Sequence, residues 1–327
     1  MRVTRRMIGR ILLCLLAWIP QVSLATTDIV SSASSYAPLP PPASTGTTST
    51  LAVGSARIHL FIEGRPFNLS QQALQDWVQR SAEIVTQYYA GFPVNEVHVA
   101  IRGVRGTRVM NGSSIGSAGA VVNVSVGLSA TPQALVDDWI MVHELIHLAF
   151  PSVSRSHHWL EEGLSVYVES IARANAGALG ADAVWAGFLD GMHRGLPRAG
   201  DKGLDNTPTW GRTYWGGALF CLLADISIRQ STNGQKSLRD GLRGIVAAGY
   251  DITRSGDIRE VLMVADRATG TTVLLDLYDE MRDQPVPAEL DSLWVDLGVA
   301  ERNGAIVYND SALQAGIRRA LTQRIEP

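Results

Sequence analysis

Two histidines four residues apart, in the run His143-Glu144-Leu145-Ile146-His147, constrain this chain of 327 residues more than any other feature of it. On an α-helix that spacing sets the imidazoles about 40° apart around the axis and about 6 Å apart along it, on one face. Two imidazoles so placed can grip one ion, so the run predicts a helix and, on its face, a metal. Glu144 follows the first histidine directly. Its carboxylate is thereby turned beside the ion, where it can take a proton from a bound water without being a ligand. The pattern is that of a zinc site with a built-in general base.

The rest of the composition allows such a site a proper core. With 46% hydrophobic and 18% charged residues, the chain is long enough for one large domain or two modest ones, and too apolar to be disordered throughout. Its beginning reads differently. Arg2, Arg5, Arg6 and Arg10 precede an almost wholly apolar run from Ile11 to Pro20, and Ser23-Leu24-Ala25 supplies the small residues of a cleavage site. This is the form of a secretory signal over residues 1–25, and the apolar run is about half the length a membrane-spanning helix needs. The expectation is a periplasmic or secreted protein with no stable membrane anchor after signal removal. Cys14 would leave with the signal, so Cys221 remains as a lone cysteine in an apolar helical pattern, expected to be a packing residue. Loss of the four arginines takes the formal charge from -3 to -7, which argues against nucleic acid as a partner.

From Ser31 to about Ser55 the chain is rich in Ser, Thr, Ala and Pro around Pro38-Leu39-Pro40-Pro41-Pro42. Such a stretch buries too little apolar surface to offset its ordering entropy, so residues 26–55 are expected to be a disordered linker. The domain is then expected over residues 56–327, with a sheet part over 56–130 and a helical part over 131–327. Strands are predicted at Arg57 to Glu63, Glu96 to Ile101 and Ala118 to Val126, with a helix from Ser70 to Ala90. Thr131 as N-cap and Pro132 at the first position start the helix that carries the histidines, and Pro151 should end it near Phe150. Beyond it the pattern is helical at Trp159 to Ala174, Ala183 to His193 and Tyr214 to Arg229. A sheet first and helices afterwards give an α+β domain with the site at the junction.

A tetrahedral catalytic zinc takes a third protein ligand and leaves one position for water. The metzincin pattern would place Gly and His three and six residues after His147, where Phe150 and Val153 stand instead. A different segment lies downstream, Trp159-Leu160-Glu161-Glu162-Gly163-Leu164-Ser165-Val166-Tyr167-Val168-Glu169. With this segment the chain resembles the gluzincin zinc metallopeptidases, in which HExxH is followed by a WxxEGxxxYxE helix. The alanyl and glycyl aminopeptidases and the broader peptidase-MA-like group are of this kind. The resemblance implies a thermolysin-like catalytic domain that cleaves a peptide or protein substrate with one zinc. It nominates Glu162 as the third ligand beside His143 and His147, with Glu161 as the fallback. Glu169, two turns after Glu162, is a candidate to hold a ligand histidine, and Asp137 and Asp138 are weaker ones. His157 and His158 are expected at the rim or in water.

The resemblance extends to Tyr214-Trp215-Gly216-Gly217-Ala218-Leu219, which is similar to the YxxGA segment whose tyrosine donates a hydrogen bond to the oxyanion. It covers residues 143 to 240 well and the ends poorly. One departure bears on substrate. Aminopeptidases of this type carry a glycine-plus-Glu strand that captures the free amine, and the corresponding stretch, placed at Gly116 to Asn123, has no acid. The expected function is therefore an exported zinc peptidase that is not a standard aminopeptidase, with Glu144 activating a zinc-bound water and Tyr214 stabilising the oxyanion. Its rivals are a non-catalytic metal-binding or protein-binding domain on the same fold, and a hydrolase of a non-peptide amide.

Overall fold

The computed structural model describes residues 45–325; the expected signal and most of the expected linker lie outside the described residues. The sheet half opens with β1 (Gly46–Val53), β2 (Ala56–Glu63), α1 (Gln71–Tyr89), β3 (Glu96–Val104), β4 (Val109–Ile115) and β5 (Val121–Gly127). The strands lie in the order β1-β2-β3-β5-β4. β2, β3 and β5 run parallel, while β1 and β4 pair antiparallel at the two edges. Alternate residues of the middle strands face the core, Ile58, Leu60 and Ile62 on β2 and Val97, Val99 and Ile101 on β3, as period-2 patterning requires. Helix α1, capped by Ser70 Oγ accepting from Ala73 N at 3.1 Å, covers that face with Leu74, Trp77, Val78 and Val85.

Two strands depart from the sequence-based expectation. β1 lies inside the stretch expected to be linker to residue 55, so the ordered domain reaches back at least to Gly46. Its Ser/Thr-rich sequence suits an edge strand with water on one face and polar helix residues on the other. Gln71 Nε2 donates to Thr47 Oγ1 at 2.7 Å and Gln75 Nε2 to Ser49 Oγ at 3.1 Å. β4 falls between the predicted strands, where none was expected, because Asn111-Gly112-Ser113-Ser114 has none of the β-branched character that marks a strand. Pairing with β5 supplies what propensity does not.

The helix expected from Thr131 to Phe150 is two helices, α2 (Pro132–Val136) and α3 (Ile140–His147). Asp138 causes the break. Its carboxylate accepts from the amides of Ile140 and Met141, each at 3.0 Å, and from Trp77 Nε1 at 3.2 Å, so it caps a new helix and ties it to α1. The helical half continues with α4 (His158–Asn175), α5 (Ala181–Gly191), a π-helical turn (Gly211–Gly216) running into α6 (Gly217–Ser231), and α7 (Leu238–Ala247). Then come α8 (Ile258–Thr269), α9 (Val273–Met281), α10 (Leu290–Leu297), the hairpin β6 (Val299–Arg302) and β7 (Ala305–Tyr308), and α11 (Ala315–Thr322). The architecture is α+β, a mixed sheet followed by helices, as the pattern predicts. No helix among the described residues is long and apolar enough to cross a membrane.

Helices α4 and α6 meet backbone to backbone. A Cβ on Gly163 would stand 2.2 Å from Gly217 Cα, and one on Gly217 would stand 2.0 Å from the Trp159 carbonyl oxygen. Farther along the same pair, Tyr167 donates to Asp225 Oδ2 at 3.0 Å. Asp225 Oδ1 accepts from Arg229 Nε at 2.9 Å and from the Leu238 amide at 3.1 Å, which brings α7 into the cluster. Cys221 is buried beside them among apolar side chains, a packing residue as expected.

This contact sets a contrast between glycines. Gly163→Ala should lower unfolding free energy by about 3 kcal/mol through overpacking. Gly187→Ala, on an α5 face where an added Cβ meets nothing within 4 Å, should raise it by about 1 kcal/mol through helix propensity. Chemical denaturation of the two variants checks both signs.

Candidate metal centre

Helix α3 presents His143, Glu144 and His147 at the junction of the two halves, with His143 5% and Glu144 7% exposed. Glu162 enters from the first turns of α4. His143 Nε2 lies 3.3 Å from Glu162 Oε2 and 3.3 Å from His147 Nε2, and His147 Nε2 lies 3.6 Å from the same carboxylate oxygen. A tetrahedral zinc with bonds of about 2.0–2.2 Å has its ligand atoms about 3.3–3.6 Å apart. The three sides of this triangle match that edge length, so the donor set fits the ion in kind and in size. Among the described residues it is the one cluster of three His, Cys, Asp or Glu side chains close enough to share a metal.

The charges agree with the geometry. Burial alone would raise Glu162, but His147 and then His143 reverse this and hold its carboxyl far below the usual carboxylate range. Burial opposes the charged form of His147, yet Glu162 foremost, with Glu144 and Glu161, pushes it up to about 9. The charges thus favour an ionised Glu162 paired with a protonated His147.

Glu161 turns away from the triangle. Its Oε1 accepts from the Val153 amide at 3.3 Å and its Oε2 meets His158 Nδ1 at 3.0 Å, so it faces the loop between the helices. His158 is half-exposed and touches Glu162 Oε1 through Nε2 at 3.4 Å, a rim position. His157 is held away by Asp205, whose Oδ1 lies 3.0 Å from its Nδ1 and accepts from Trp159 Nε1 at 2.7 Å.

Glu169 does not hold a ligand histidine either. Arg173, one turn farther along α4, donates to its Oε1 at 2.7 Å and takes up the charge that was to face the site. His143 Nδ1 is buried without a hydrogen-bond partner among the described residues. Asp137 is exposed and bonded to Gln133, while Asp138 caps α3.

Glu144 is positioned from the sheet. Ser114 Oγ on β4 lies 2.7 Å from Glu144 Oε2 and 2.8 Å from the Glu144 carbonyl oxygen, a bifurcated donor that clamps both ends of the residue. Gly112 makes room for it, since a Cβ there would stand 2.5 Å from Glu144 Cγ. No sequence motif marked Ser114 or Gly112; recognising β4 as a strand over the site would have been the signal. The structure also moves the stretch expected at Gly116 to Asn123. Asn123 lies in β5, whose backbone is paired on both sides, and the edge strand beside Glu144 is β4. β4 carries no acid either.

Tyr214 stands in the π-helical turn, half-buried, on the stretch that the Gly163–Gly217 contact draws against α4. Burial first, then the carboxylates of Glu162 and Glu144, raises its phenol above the ordinary range. Its phenol is therefore held protonated in the field of those two carboxylates.

No family model matches the chain, and no curated protein matches it in sequence. Solved structures do resemble it. One is a two-domain M1 zinc metallopeptidase bound to L-arginine, at 15% identity over 75% of this chain and 53% of that one, with a TM-score of 0.51. Another is an M1 zinc metallopeptidase from Deinococcus radiodurans bound to a Tyr-Ser-Ala substrate, at 16% identity over 75% and 53%, with a TM-score of 0.51. A third is an aminopeptidase N family protein from Idiomarina loihiensis, at 12% identity over 78% and 49%, with a TM-score of 0.55. The chain spans about half the length of these structures. At such identities the likeness is one of fold, the α+β fold that this chain shares with those M1 zinc metallopeptidases.

The His147 proton gives a test of the centre. Its folded value is raised above the ordinary 6.5, so the metal-free pair stabilises the protein fully below about 6.5 and loses that contribution as pH rises through about 9. Zinc must displace the proton, so zinc affinity should climb with pH up to about 9 and then level. Calorimetry at pH 7.5 in buffers of different ionisation enthalpy should count about one proton released per zinc.

Proposed function

We propose that this chain is an exported zinc-dependent peptidase in which His143, His147 and Glu162 hold one zinc ion. The observation that carries the reading is the triangle of ligand atoms at tetrahedral edge length with a clamped carboxylate, Glu144, beside it. A zinc ion held there supplies the Lewis acidity that polarises a carbonyl and acidifies water. Glu144, fixed by Ser114 and Gly112, takes the proton of the attacking water and passes it to the leaving amine nitrogen. Tyr214, protonated and facing the same carboxylates, donates to the oxygen that gains negative charge as the carbonyl carbon becomes tetrahedral. The buried setting makes each of these interactions stronger than it would be in water.

The substrate reading is an internal peptide bond, with a peptide or protein as partner. β4, the strand beside the base, has no carboxylate to receive a free α-amine, so selection by the chain terminus lacks its anchor. The leader of four arginines and an apolar run supports export to the periplasm or beyond.

In the test, purified protein is assayed for zinc and for cleavage of peptides with free and with acetylated amino termini. About one zinc per chain is expected, with blocked peptides cleaved at least as well as free ones. Glu144→Gln should keep the zinc and lose about 10²–10⁴-fold in kcat. Tyr214→Phe should lose about 10²-fold or more in kcat with KM little changed. Gly112→Ala should also leave zinc bound while lowering kcat, because its methyl group displaces Glu144. Zinc without Glu144-dependent cleavage would instead mark a binding domain, and absence of zinc would remove the reading altogether.

A further inference from the structure

Trp139 stands four residues ahead of His143, and Trp210 stands four residues ahead of Tyr214. That spacing puts each indole on the helical face of the site residue four positions on. The rings meet accordingly: Trp139 and His143 edge to face with centroids 5.4 Å apart, Trp210 and Tyr214 tilted with centroids 6.0 Å apart. Yet both indoles remain in water, Trp139 49% and Trp210 51% exposed. The hydrophobic effect favours burying so large a side chain, and Trp77, Trp159 and Trp185 are each at most 2% exposed in the same domain. Packing therefore does not account for the two at the metal centre. Trp139 stands at the start of α3 and Trp210 at the start of the π-helical turn, so the two flank residues of different elements. Met110, two residues before Gly112 on β4, is a third large apolar side chain left 42% exposed.

We propose that Trp139 and Trp210 determine specificity, selecting extended peptide segments with large apolar side chains, aromatic ones above all, beside the scissile bond. This rests on the peptidase reading and names its substrate class. An indole face takes an aromatic ring edge-on or offset and an aliphatic side chain flat, and each such contact buries apolar area on both partners. With no carboxylate on β4, side-chain contacts of this kind are what remains to fix the register of the substrate. A polypeptide fits better than a glycan, which also lays flat faces on indoles. β4 ends the sheet, so its outer edge offers backbone N–H and C=O groups that an extended peptide can pair with.

The test is calorimetric binding of short end-blocked peptides to the zinc-loaded full chain carrying Glu144→Gln, which binds without cleaving. The peptides differ only at the two residues flanking the bond, Phe and Leu in one and Ala in the other. The Phe/Leu peptide should bind about tenfold more tightly. Trp139→Ala and Trp210→Ala should each lose most of that advantage, with less than about twofold change for the Ala peptide and unchanged zinc content. Trp139→Phe and Trp210→Phe should retain much of it, which separates a lost contact from a misfolded chain. Equal loss for both peptides, or loss of zinc, would overturn the proposal by assigning the indoles to the support of His143 and Tyr214. So would equal binding of the two peptides by the parent, or tight binding of a chito-oligosaccharide that depends on the indoles while peptides do not. Absence of cleavage by the unsubstituted protein would remove the peptidase reading and leave indole-dependent peptide binding standing; cleavage without discrimination would remove this inference alone.

Discussion

Two helices can touch backbone to backbone only where neither has a side chain in the way, and the centre of this domain depends on such a contact. Gly163 and Gly217 leave α4 and α6 so close that a methyl group on either would overlap the other helix. Gly163 is the residue after Glu162, and Gly217 begins the helix just past Tyr214. The contact therefore fixes the proposed third ligand and the proposed oxyanion donor relative to each other. It does so through main chain, which has far less freedom than side chains. The Tyr167–Asp225 hydrogen bond and the Asp225 links to Arg229 and Leu238 hold the same pair farther out.

The sheet half supplies the complementary constraint. Asp138 starts α3 anew and binds it to α1, so the helix that carries the histidines is anchored to the core by its own cap. β4 then lies over Glu144 with one serine hydroxyl and one missing side chain, orienting the carboxylate. Buried carboxylates and imidazoles cost free energy unless they pair. Here Glu162 and the histidines pair with one another, and Glu169 pairs with Arg173. The one buried group of the cluster left unpaired is His143 Nδ1.

Much of the site was legible before the structure because its signals are local. The i, i+4 spacing of His143 and His147 needs only helical geometry, and the acid before Gly163 needs only the resemblance to an EGxxxYxE helix. Where expectation and structure part, a long-range interaction made the difference. Glu169 lies on the anticipated helix but meets Arg173. Ser49 and Ser114 sit in strands that composition disguised, since an edge strand takes its order from its neighbour and not from its own propensity.

The sequence by itself determined the pair of histidines on one helical face, the carboxylate between them, the α+β order of elements and the helix carrying Glu162, because each arises from the period of a helix or strand within a few turns. Only the tertiary structure decided that Glu162 lies within 3.6 Å of both histidines while Glu161 turns to the loop, and that Ser114 and Gly112 hold the Glu144 carboxylate. Those outcomes depend on how α4, α6 and β4 are brought against α3. The close approach of Gly163 to Gly217 and the pairing of β4 with β5 set that arrangement through contacts between residues far apart in the chain, which no local pattern encodes.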